Sequence, residues 1–142
     1  MKILIQKLHS DAKIPAYAHA DDAGMDIYTV VEVTLQPGER KAVATGIAMQ
    51  IPNGCVGLIW DKSGRALHDG IHTLSGVVDA GYRGEIKVIV LNVSSQPVTI
   101  LAGEKIAQLL IQSVLSPIIE EVLQLDESST RGIEGFGSTG LV

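Results

Sequence analysis

Aromatic side chains are scarce in this chain: they make up 4% of 142 residues, with one Trp and one Phe. Its core must therefore be built from aliphatic side chains. Cysteine is scarcer still. Cys55 stands alone and cannot form an internal disulfide. It reads as a small buried hydrophobe, and the missing disulfide framework predicts a reducing, cytoplasmic setting. A single thiol on an apolar strand also argues against cysteine catalysis. No apolar run approaches the ~20 residues of a membrane span, and Met1-Lys2-Ile3-Leu4-Ile5 lacks the long apolar region of a signal peptide. Positive charge is not in excess. At a net charge of −5 the chain has no general attraction for a nucleic-acid backbone, so polymeric DNA or RNA is not an expected partner. A small phosphorylated molecule can still be held by a few placed cations and backbone amides. Charged residues reach only 19% against 46% hydrophobic, which predicts that partners cover some apolar surface and that the chain oligomerises.

What is present is enough for one domain spanning residues 1–142, which buries roughly 68–70% of its unfolded surface. Short β-branched runs alternate with turns such as Pro37-Gly38 and Pro52-Asn53-Gly54. Turn signals every 8–12 residues or so, with no βαβ rhythm, predict an all-β sandwich or barrel. Good helix formers cluster only over 61–70, where a short helix of about two turns ends at Gly70. The stretch 71–78 reads as one short strand. Residues 116–125 fit a helical stripe or an edge strand, and periodicity does not choose between them. From 126 to 142 the chain is polar and glycine-rich and reads as a mobile tail.

The organising stretch is 76–85, in which Gly76, Gly81 and Gly84 frame Asp79, Tyr82 and Arg83. It reads as a hairpin feeding a buried strand, with Asp79 near its tip. A carboxylate there can be aimed at a water, and the aromatic can wall a sugar or base; equally, the stretch can be a surface turn with a solvated Asp. Lys62-Ser63-Gly64 precedes the short helix. Its amides, hydroxyl and ammonium suit a phosphate, or Ser63 is simply an N-cap. The stretch 131–140 holds four glycines, Arg131, Phe136, Ser138 and Thr139. It has a phosphate loop's composition but no GK[ST] ending; Phe136 is unusual for a disordered tail. His68 and His72 are four apart, but Gly70 breaks the helix between them, which disfavours a zinc site.

Together these stretches resemble the homotrimeric dUTPase family. Five motifs fall in the family's order over nearly the whole chain: Ala23-Gly24-Met25-Asp26-Ile27; Lys62-Ser63-Gly64 with Ala66-Leu67; residues 76–85; Lys105-Ile106-Ala107-Gln108-Leu109; and Arg131 with Gly135-Phe136-Gly137-Ser138-Thr139-Gly140. The resemblance implies a jelly-roll subunit in a trimer whose active sites are shared between subunits, with the 126–142 tail closing a neighbouring site. It implies hydrolysis of dUTP to dUMP and pyrophosphate, limiting uracil in DNA and supplying dUMP for thymidylate synthesis. Asp79 would be the general base. Mg²⁺ would bridge the phosphates, held by Asp26 through water. Lys62, Ser63, Gly64 and Gln108 would contact phosphate; Arg131, Gly137, Ser138 and Thr139 would close over it; Phe136 would stack on uracil. Base choice would lie in the hairpin 73–87, through Thr73, Gly76, Val77, Val78 and Lys87, with Tyr82 against the deoxyribose.

Four positions depart from the commoner pattern. Lys62 stands for Arg, Arg65 for Leu, Gly81 for a frequent Asp, and Thr73 for an Asn that often contacts the base. Lys62 loses a bidentate fork for phosphate. Two rival readings are a dCTP deaminase relative, against which Tyr82 counts, and a non-catalytic nucleotide-binding regulator, against which Asp79 and the tail motif count. A purely structural jelly roll would need neither Phe136 nor Arg131.

Overall fold

Short β-branched runs leave rows of backbone amides that only neighbouring strands can satisfy. In a computed structural model, which describes residues 1–126, 128–130 and 132–133, they are satisfied antiparallel throughout. The strands are β1 (Leu4–Lys7), β2 (Met25–Tyr28), β3 (Val33–Leu35), β4 (Arg40–Gln50), β5 (Cys55–Trp60), β6 (Ile71–Leu74), β7 (Val77–Asp79), β8 (Glu85–Asn92), β9 (Val98–Ile100) and β10 (Lys105–Ser113). One four-stranded sheet has the order β1-β4-β8-β6, a second β2-β10-β5-β7, and β3-β9 form a small third. Buried side chains of both large sheets belong to one core cluster. Its largest fully buried members are all Ile, Leu or Val, as the shortage of aromatics requires. Each contributes about 1.5–3 kcal/mol on burial. The all-β, jelly-roll-like expectation holds.

Three local expectations need correction. The stretch 71–78 is two strands in different sheets: β6 pairs with β8, and β7 pairs with β5. The chain changes sheet at Ser75, which has φ 57°, and Gly76. At Gly76 any Cβ would run into the carbonyl oxygen of Ile59, while the Gly76 carbonyl accepts from the Ile59 amide at 2.7 Å. Only glycine allows that approach. The short helix forms where expected: after α-helical Ser63 and Gly64 comes a π-type turn at Arg65–Asp69, ended by Gly70 at φ 65°. That turn is preceded by Gly64 and has no side-chain cap, so Ser63 is not its N-cap. Residues 116–125 adopt neither helix nor strand. Leu115, Ile118, Ile119 and Leu123 are almost fully exposed; with no apolar surface covering them, neither regular form gains the burial that would stabilise it.

Candidate functional site

Strand register brings three separated stretches of sequence to one place. Asp26 on β2 lies opposite Gln108 on β10, and Gln108 lies opposite Trp60 on β5. Lys62 follows two residues beyond Trp60. The result is a cleft of about 420 Å³ walled by Gly24, Asp26, Trp60, Asp61, Lys62 and Gln108 among others. Gly24 makes room for Gln108, whose Oε1 would lie 2.5 Å from a Cβ there. Gln108 in turn donates from Nε2 to the Asp61 carbonyl at 2.8 Å, which holds its amide on the cleft wall.

Asp26 is the charge centre of this cleft. It is 3% exposed, and burying a lone carboxylate is costly. Two ammonium groups offset the cost. Lys62 donates from Nζ to Oδ1, and Lys105 Nζ sits 2.6 Å from Oδ2. The second contact is an ion pair without hydrogen-bond alignment, since Oδ2 has no hydrogen-bond partner. Burial pushes the Asp26 carboxyl upward, but Lys105 and Lys62 together outweigh it and hold it below the ordinary carboxylate range. The cleft therefore keeps a buried anion ionised between two cations.

A second device lies beside it. Asp61 Oδ1 accepts from the Thr73 amide and hydroxyl, both at 2.6 Å, and His72 Nδ1 is 2.7 Å from Oδ2. Burial raises the Asp61 carboxyl, and the Thr73 and His72 hydrogen bonds more than reverse this, leaving it lowered. Thr73 thus spends its hydroxyl on Asp61. It lines a separate cleft of about 290 Å³ with Trp60, His72 and Gly76.

The hairpin forms its own cleft of about 300 Å³, with Ser75, Val77, Val78, Tyr82 and Lys87 on its walls. Its turn is internally braced. The Tyr82 amide donates to the Asp79 carbonyl at 3.0 Å, and the Tyr82 hydroxyl donates to the Glu85 carbonyl at 3.1 Å. Arg83 donates to the Ala80 and Tyr82 carbonyls at 2.6 and 2.8 Å. Asp79 ends β7 opposite Val56; it is exposed and stands outside the walls of both the hairpin cleft and the Asp26 cleft.

Of the residues singled out from sequence, Asp26, Lys62 and Gln108 come together, and Val77, Val78, Tyr82 and Lys87 come together elsewhere. Ser63 opens the short helix, and Gly64 lines a third cleft of about 540 Å³ with Lys62, Arg65 and Lys105. Arg131, Phe136, Gly137, Ser138 and Thr139 lie outside the described residues. Sequence reasoning missed the parts played by Asp61 and Lys105. Lys105 opens a motif already quoted, and Asp61 immediately precedes Lys62, so adjacency was the available signal. It also missed Ser75, whose positive φ nothing in its residue type announces.

Comparison with known proteins identifies the family and the fold. A family model described as dUTPase matches residues 10–140. The chain is 47% identical to the deoxyuridine 5'-triphosphate nucleotidohydrolase of Clostridium novyi, covering 99% of this chain and 100% of that one. It is 47% identical to the protein of the same name from Mycolicibacterium gilvum, covering 97% and 94%. Its fold matches a mutant dUTPase of Staphylococcus bacteriophage 80alpha, solved with dUpNHpp, at a TM-score of 0.92, 28% identity and 99% coverage of each chain. A mutant dUTPase of phage phi11 of S. aureus, described as coordinating a structural Mg(II) ion, matches at a TM-score of 0.83 and 26% identity, covering 89% of this chain and 99% of that one.

Proposed function

The chain belongs to the dUTPase family, and we propose that it hydrolyses dUTP to dUMP and pyrophosphate in sites assembled between the subunits of a homotrimer. The observation that carries this reading is the division of labour between two clefts. The Asp26 cleft offers the Lys62 ammonium and the Gln108 amide for phosphates, beside aspartates that suit a phosphate-borne cation; the hairpin cleft offers backbone and mixed apolar and polar walls for a base and sugar. The two share no lining residue, and in this reading one nucleotide takes them from different copies of the chain.

In this reading the uracil enters the hairpin cleft, where backbone groups of Val77 and Val78 pair with its edge and Gly76 shapes the neighbouring Thr73 cleft. The tight walls leave no space for the 5-methyl of thymine, and the amino group of cytosine meets a donor. Unpaired buried polar groups make such rejection strong. Tyr82, with its hydroxyl already held by Glu85, keeps its ring fixed against the deoxyribose. Thr73 acts here by tying β6 to Asp61, and Lys87 lies at the cleft's polar rim. Lys62, Ser63, Gly64 and Gln108 hold the phosphate chain.

Asp79 accepts a proton from water. The water oxygen bonds to the α-phosphorus as the bond to the bridging oxygen breaks, and pyrophosphate leaves with the electron pair. Positioning and charge neutralisation supply the rate. Arg131, Gly137, Ser138 and Thr139 of the tail close over the β and γ phosphates and exclude bulk water, and Phe136 covers the uracil.

The residues present fit Mg²⁺ in one way. No cluster of three or more His, Cys, Asp or Glu side chains that could cage the ion occurs among the described residues. Asp26, a hard oxygen donor paired with Lys62 and Lys105, fits a metal brought in on the phosphates and touched through its water shell. When bound, Mg²⁺ neutralises phosphate charge.

The test is pyrophosphate release from dUTP, dCTP, dTTP and UTP, with and without Mg²⁺. Release from dUTP alone, dependent on Mg²⁺, is the expected result. No release with dUTP binding retained would move the protein to the regulator reading. Among the described residues no helix is long and apolar enough to cross a membrane, and a cytoplasmic enzyme supplying dUMP is consistent with that.

A further inference from the structure

Arg65 stands where the family usually has Leu, yet it is among the most heavily bonded side chains near the phosphate cleft. Its side chain is only 19% exposed. Nε donates to the Lys105 carbonyl at 3.1 Å, one terminal nitrogen donates to Asp69 at 2.8 Å, and the other donates to Glu104 at 2.7 Å. Each acceptor lies on a different part of the chain: the helical turn, the turn before β10, and the first residue of β10. Glu104 is itself anchored, accepting from the Leu101 amide at 2.9 Å. The planar guanidinium serves three acceptors at fixed angles, which a point charge would not do.

The two sides of this brace lead to the same carboxylate. On one side, the Ala66 amide donates to the Lys62 carbonyl at 2.9 Å, so fixing Arg65 fixes the backbone of the loop that presents Lys62. On the other, Arg65 holds the backbone of Lys105 directly. Lys62 and Lys105 are the two cations that flank Asp26.

The geometry points to Arg65 as a positioning residue that sets the spacing of Lys62 and Lys105 across Asp26, and through them the grip on the triphosphate. It acts through the two lysines. A short flexible Lys at position 62 gains from such a brace more than an Arg would, because its own reach carries no fixed fork. This inference rests on the reading of the Asp26 cleft as the phosphate site.

The experiment compares binding of dUpNHpp, which carries the full phosphate chain, with binding of dUMP, in the wild-type chain and in Arg65→Leu. Arg65→Leu is expected to weaken dUpNHpp about tenfold, a typical coupling between contacting residues, while dUMP changes less than about twofold. In Lys62→Met the further change Arg65→Leu should then cost dUpNHpp affinity little. Arg65→Lys keeps the charge and loses the fork; it is the second variant should Arg65→Leu not fold, and the same selective loss at about threefold is expected. Equal losses for both ligands, or none, would overturn the assignment and leave Arg65 a stability brace. Failure of the wild-type chain to bind dUpNHpp would instead overturn the phosphate-site reading itself.

Discussion

The Asp26 cleft and the hairpin cleft solve recognition by opposite physical means. Around Asp26, side-chain charge dominates: one buried carboxylate, two ammonium groups, and a guanidinium with two more carboxylates behind them. Around Tyr82, the structure is mostly backbone, with a turn that bonds to itself and mixed apolar and polar walls. Charge tolerates small displacements because Coulomb attraction falls off gradually. A base-reading surface made of amides and carbonyls tolerates almost none, because a hydrogen bond weakens steeply out of line.

Substitutions in the two regions should therefore separate. The largest effect belongs to the reacting water: Asp79→Asn should lower kcat by about a thousandfold, within the range for a general base, with dUpNHpp affinity unchanged. Near-normal turnover would remove Asp79 as the base. Next is deletion of residues 131–142, expected to lower kcat/KM at least about a hundredfold by opening the site to water, while sedimentation still gives a trimer. Full activity without the tail would place closure elsewhere. Asp26→Asn removes the charge that holds both lysines. It should raise the Mg²⁺ concentration needed for half-maximal binding of dUpNHpp about tenfold, leaving dUMP binding intact. Trp60, the only Trp in the chain, lines the Asp26 cleft, so its fluorescence can report that binding directly.

The smallest effect is on stability and has a definite sign with pH. The folded Asp61 carboxyl lies below its ordinary value, so its bonds to Thr73 and His72 stabilise the fold above about pH 4. The contribution is then lost as pH falls through the lowered folded value. At pH 7, Asp61→Asn should cost about 2 kcal/mol, the scale of hydrogen bonds to a charged group. That difference should shrink as the solution is acidified. A gap that is constant or widens toward low pH would mean that Asp61 is not acting as an anion.

Much of this was legible in the chain itself, and the reasons are local. Glycine and proline mark turns because of their dihedral preferences, so Pro37-Gly38, Pro52-Asn53-Gly54 and Gly70 were placed correctly from residue type. β-Branched runs with no βαβ rhythm left an all-β fold as the reading. The single strand expected over 71–78 failed for a non-local reason. Ile71, Leu74, Val77 and Val78 look alike in sequence, and only the presence of β8 on one side and β5 on the other splits them between sheets. The same limit applied to 116–125, where an apolar pattern has no structural meaning until something covers it.

By itself, the sequence determined the fold class, the aliphatic core and the residue types available for binding phosphate, because these follow from composition, periodicity and turn chemistry. Tertiary structure alone decided which of those residues meet. Antiparallel register aligns Asp26, Gln108 and Trp60 across three strands that are distant in the chain. It places Lys62 and Lys105 on one buried carboxylate, and it commits the Thr73 hydroxyl to Asp61. Those pairings arise from long-range strand alignment, in which a shift of a single residue would turn each side chain to the opposite face.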